Sequence, residues 1–234
     1  SNYVMENTSL LEGREVGSVK SSSNNQKNRL LLKTATPAAA YIPDFSTMPN
    51  VRNQRYGDCW SFSSIFLLEM SLIKQNKATT SIDLSELHLD YFSWNNNVNG
   101  VDPLGGTAGD VTSYSSTAAV NYLNYGGAFP ISSQVLLNWT GAVDETDVPY
   151  GNASDVLSSG LTAEKQYTLD DVHLQDYYEI NIKDDPDLVK QWIVSNGAVG
   201  ISMYSNTTYN SGYHYYSSAN NAYYCPDYMT PNHA

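Results

Sequence analysis

The chain reads as an α+β domain with its helices first and its strands later. Residues 59–75 carry apolar side chains at Trp60, Phe62, Ile65, Phe66, Leu68, Met70, Leu72 and Ile73. That run is apolar on nearly every side, the mark of a buried helix. Residues 85–94 form a second helical pattern behind Ser85, a good capping residue. Beyond these, "DVHLQDYYEINI" (171–182) and "GAVGISMY" (197–204) alternate or run apolar as strands do.

Taken in order, residues 1–40 are polar and mixed, and "SSSNNQKNR" (21–29) has the composition of a flexible linker. This stretch is expected to be a flexible leader or the remnant of an inhibitory pro-segment. A domain then spans 41–234. "YIPDFSTMPNVRNQ" (41–54) holds two prolines and should run extended over a surface. Asp58 stands just before the first helix, where its side chain is expected to cap free N–H groups. A third helix is expected over 110–124, opened by "GGTAGD" and closed by Gly126-Gly127. After Pro130 the pattern loosens, with a turn-rich loop at "VDETDVPYG" (143–151). Residues 185–195 fit a short helix with Pro186 in its first turn.

At 234 residues the chain can bury an ample core. Its 12 Lys and Arg against 24 Asp and Glu give a net charge of -12, which argues against nucleic acid or an anionic membrane as partner. No apolar run is long enough to cross a bilayer as a helix. No His or Cys residues stand at metal-ligand spacing, and no phosphate-cradling glycine motif occurs, so neither metal nor cofactor is expected.

Chemistry is concentrated at "NQRYGDCWSFSS" (53–64). A thiolate attacks carbonyls far better than a thiol, and a helix N-terminus offers partial positive charge and free N–H groups. Cys59 on the first turn of the most hydrophobic helix is therefore the candidate nucleophile. Its own backbone N–H, with the Gln54 amide, can serve an oxyanion. His88, His173 and His214 read as packing or surface residues, and Cys225 as a free loop cysteine.

These residues resemble the active-site segment of papain-like cysteine peptidases, in which Gln, a small-residue turn and Cys-Trp-x-Phe open the central helix. Further landmarks follow in family order: "DLSELHLDYFSW" (83–94), Gly105-Gly106, "VPYG" (148–151), "GAVGISMY" and finally "NHA" (232–234). The wording is most similar to the microbial surface-associated branch. The resemblance implies a two-lobed fold with a helical left lobe and a β-barrel-like right lobe, the latter incomplete here because the family's orienting Asn and later strands would follow His233. It implies a cysteine-type endopeptidase, secreted or at a cell surface, acting on a protein or peptide substrate. Cys59 would be the nucleophile, His233 the base and Gln54 the oxyanion donor, with Gly105, Gly106 and Trp60 lining the substrate cleft. The Cys59-to-His233 spacing exceeds the family's usual ~130–150 residues, which implies insertions. Three features depart from the pattern: the Gln54-to-Cys59 gap is one residue short, Asp58 replaces a Ser or Gly, and Tyr56 stands where a disulfide cysteine usually does. The alternative expectation is a catalytically impaired surface binding or adhesion module on the same fold. A Cys-His acyl transferase of the transglutaminase kind is a third.

Overall fold

The helix expected from residue 59 is α1, Cys59–Lys74, in a computed structural model that describes residues 2–9, 40–95, 122–166, 172–184, 186–205, 216–217, 219, 222–223 and 230–234. Nearly every turn of α1 is buried, as its sequence requires, and Ile65, Leu68 and Leu72 lie at the centre of the main core. Its C-terminus closes through two bonds: the Asn76 N–H donates to Ile73 O at 3.0 Å and the Lys77 N–H to Leu72 O at 2.9 Å. Asn76 takes a φ of 57°, the left-handed conformation that this closure needs and that Asn tolerates.

Helix α2, Glu86–Trp94, starts as the sequence predicts: Ser85 Oγ accepts from the His88 N–H at 3.0 Å. The same hydroxyl donates to Val148 O at 2.6 Å, which ties the helix start to the 143–150 loop. The helix expected over 110–124 lies outside the described residues except for its end, where Tyr122–Asn124 is a single 3-10 turn.

Around Pro130, where the sequence pattern loosens and predicts no element, the structure forms one. Phe129–Leu137 is a helix, α3, with Pro130 in its first turn. A proline there removes an N–H that has no helical partner and pre-sets φ, so it starts helices as readily as it ends them. A short helix, α4 (Ala153–Ser159), follows the 3-10 turn Tyr150–Asn152. Helix α5, Pro186–Asn196, sits where the sequence places it.

The strands form a three-stranded antiparallel sheet of order β2-β1-β3. Its members are β1 (Asn2–Ser9), β2 (His173–Ile180) and β3 (Gly200–Ile201). Asn2 and Tyr3 stand opposite Ile180 and Glu179 on one side and opposite Ile201 and Gly200 on the other. Part of the stretch expected as a leader is thus the middle strand of the sheet. A separate two-stranded pair joins β4 (Tyr216–Ser217) to β5 (Ala222–Tyr223). The architecture is mixed α+β. The main core lies between α1, α2 and α3, and a smaller apolar cluster of Tyr178, Ile180, Val189 and Trp192 joins β2 to α5.

Candidate functional site

The approach to Cys59 is fixed by one cation. Arg52 reaches Glu69 of α1 at 2.6 Å, Glu86 of α2 at 3.1 Å and Asp83 between the two helices at 2.7 Å. Glu69 also accepts the Leu84 N–H at 2.8 Å. Burial pushes the Glu69 carboxyl up and that of Glu86 up to about 7, while Arg52 opposes both shifts. Arg52 itself is held charged: bonds and charge from these carboxylates outweigh the burial that disfavours its cation. Glu69 within "IFLLEMSLI" was the available sequence signal: an acid in an otherwise apolar buried helix requires a cation.

Beyond Arg52, Tyr150 of the "VPYG" segment clamps the turn that leads into α1. Its hydroxyl donates to Asp58 Oδ2 at 2.7 Å and accepts the Arg55 N–H at 3.2 Å. Its ring meets Tyr56 and Phe62 edge-on, with centroids 6.2 and 5.0 Å away. Glu145 Oε1 accepts the Tyr150 N–H at 2.7 Å, which holds the clamp in place. From the other side, Asn124 Oδ1 accepts the Gly57 N–H at 3.0 Å. The sequence singled out "VPYG" but not the role of the hydroxyl, which only the fold brings to Asp58.

Asp58 does not cap α1 with its side chain. Its backbone carbonyl accepts from Ser61 and Phe62, and its carboxyl turns inward, fully buried, toward Tyr150 and Asp90. The expected cap is thereby corrected: a hydrogen bond to a buried phenol replaces one to the helix N–H groups.

Cys59 is the first residue of α1, and its thiol is free and half-buried. Gln54 is half-buried too, but its amide donates to the Tyr56 carbonyl at 2.6 Å, within its own loop. Trp60, expected to meet substrate, is 1% exposed. Its indole packs edge-on against Trp94 in the core, so it offers no face to a ligand and is a structural residue. Gly105 and Gly106 lie outside the described residues, as do His214 and Cys225.

The C-terminal segment runs antiparallel to the chain after β3. Met203 N–H donates to His233 O at 2.8 Å, and the His233 N–H returns to Met203 O at 3.1 Å. The Asn232 side chain accepts from Ser205 N–H at 2.7 Å and donates to Ser205 O at 3.0 Å. Ala234 reaches α1, lining with Phe62, Phe66, Val51 and Ile201 a cavity of about 410 Å³. The fold therefore carries the residue after His233 to the helix that Cys59 begins. His233 itself is exposed, and neither its ring nor the Cys59 sulfur has a hydrogen-bond partner among the described residues.

The other described histidines have packing roles. His88 is buried with Nε2 2.7 Å from the Lys165 carbonyl, and His173 stacks on Trp139 at 4.6 Å. Among the described residues no three His, Cys, Asp or Glu side chains are grouped so as to hold a metal ion. Nor is any described helix long and apolar enough to cross a membrane. No protein-family model matches the chain, and no curated protein matches it.

Proposed function

We propose that this chain is a papain-like cysteine peptidase domain, secreted or displayed at a cell surface, that cleaves peptide bonds through Cys59. One observation carries the reading: Cys59 opens a largely buried helix while itself only half-buried, on a turn braced from both sides by Tyr150 and Asn124. A nucleophile needs this combination of fixed backbone and accessible sulfur.

In this mechanism the Cys59 sulfur attacks the scissile carbonyl, and the free N–H groups of the first turn receive the oxyanion. His233 takes the thiol proton and returns it to the leaving amine. For that, the imidazole must swing to the sulfur from its place beside Met203. Gln54 joins as second oxyanion donor once its amide leaves the Tyr56 carbonyl, a rotation within one side chain. Gly105 and Gly106 would pair with an extended substrate backbone.

The test is alkylation with iodoacetamide or an epoxide peptide probe, combined with hydrolysis of unfolded protein substrates. Cys59 should label well ahead of Cys225, and His233→Ala should cut both labelling and hydrolysis by about a hundredfold. Equal labelling of the two cysteines, with no hydrolysis, would sink the proposal. That second outcome belongs to a non-catalytic binding module on the same fold. The engagement of Gln54 with Tyr56 O and a His233 ring without a hydrogen-bond partner among the described residues favour this reading.

A further inference from the structure

We propose that Asp58 and Asp90 hold one proton between them, and that this shared proton fastens the turn presenting Cys59. The inference goes beyond the peptidase reading, because it concerns how the turn is held whatever its thiol does.

The two carboxyls come from different elements, Asp58 from the turn and Asp90 from the middle of α2, and they meet in the interior. Asp58 is 0% exposed and Asp90 1%. Tyr150 supplies a donor to Asp58 Oδ2 alone. Asp58 Oδ1 and both oxygens of Asp90 are buried with no donor in place. The Ser61 hydroxyl stands beside Asp90, yet it gives its proton to the Glu86 carbonyl at 3.0 Å. Two ionised carboxylates in contact, away from water, would repel strongly and leave several lone pairs unsatisfied. A single proton removes one charge and turns the repulsion into a hydrogen bond, as with two carboxyls that share a site.

The charged neighbour of the pair is Glu86 on α2, whose like charge disfavours an ionised Asp90, while the Tyr150 hydroxyl supports charge on Asp58 alone, so the surroundings favour one negative charge and not two. Burial first, and then the neighbouring Asp58, drive the Asp90 carboxyl well above the ordinary range. Asp58 is raised as well, chiefly by burial, with the Tyr150 hydroxyl opposing. The arrangement also accounts for a carboxylate next to the cysteine. Its oxygens face inward to Asp90 and Tyr150, and the proton removes one of the two negative charges that would otherwise lie beneath the first turn of α1.

The primary test is infrared spectroscopy of the full chain carrying isotope-labelled aspartate. At neutral pH the unsubstituted protein should show the C=O stretch of a protonated, buried aspartic acid, and Asp58→Asn and Asp90→Asn should each lose it. Only ionised carboxylate bands in the unsubstituted protein would overturn the proposal, and that measurement needs no variant to fold. The second readout is thermal melting against pH. A buried acid with a raised folded pKa stabilises fully below its unfolded pKa and loses that contribution as pH rises through the folded value. The melting advantage of the parent over Asp90→Asn should therefore be largest in acid and shrink as pH rises. A pH-independent difference would count against the shared proton. Peptidase activity enters neither readout, so failure here is separable from failure of the functional reading.

Discussion

His88 sits in α2 with no exposure, its Nε2–H given to the Lys165 carbonyl and its ring 4.7 Å from that of Phe92. Its other face meets Gly141, where an added Cβ would come within 2.8 Å of the imidazole. The ring is therefore neutral, and burial pulls its pKa from 6.5 down to about 4. The sign follows directly: between those values the unfolded chain binds a proton that the folded chain refuses. Stability from this group is complete above about pH 6.5 and drains as pH falls toward 4, a loss on the order of 3 kcal/mol at the acid end. His88→Gln keeps a donor for Lys165 O but cannot titrate. Its melting temperature should fall less steeply than the parent's from neutral pH to about pH 4. Parallel slopes in a denaturation series over that range would show that His88 is not the acid trigger. At this scale the sequence was legible where a residue acts through its own helix position, as with Ser85. It was not legible for Asp90 or Tyr150, whose partners are 32 and 92 residues away in the chain and are chosen by packing.

Among elements, the short strand β3 depends on a close approach. A Cβ at Gly200 would stand 2.5 Å from Phe129 Cζ and 2.9 Å from Leu67 Cδ1, so β3 touches both α1 and α3 through bare backbone. Gly200→Ala should cost about 1–3 kcal/mol by overpacking. For a chain of this size that corresponds to a drop of roughly 2–4 °C in Tm per kcal/mol. Phe129→Leu shortens the colliding ring, so the double variant should lose less than the two single changes together. Strict additivity in calorimetry would refute the contact. α1, α2 and α5 were readable because each carries its own signal: an all-apolar run, a capping serine, or a proline in the first turn. α3 was not, because Pro130 reads equally as a stop or a start. The sequence predicts a strand over 197–204, yet the ladder covers Gly200–Ile201 and pairing passes to His233 only at Met203. Strand length is set by the partner strand, which lies far away in sequence.

For the molecule as a whole, the question is what the first residues do. β1 lies between β2 and β3 and supplies backbone partners to both, and it also lies close against α1. Composition alone gave residues 1–40 the look of a leader, since an eight-residue strand is a weak signal when its polar neighbours dominate the window. The two roles make opposite demands on a truncation beginning at Tyr41. If the segment serves only to cover the thiol, its removal speeds peptide hydrolysis and probe labelling and leaves the melting temperature unchanged. If it serves as the middle strand, its removal strips β2 of a partner along its whole length and exposes unpaired N–H and C=O groups on two strands at once. The structure leads us to expect the second result: a lower melting temperature and concentration-dependent association through the opened edges. Adding back a synthetic peptide of residues 1–9 should restore part of the loss, because the slot it fills is defined by register with Ile180 and Ile201. A truncated chain that melts as the parent does, and ignores the peptide, would return these residues to the status of a cover and remove β1 from the sheet.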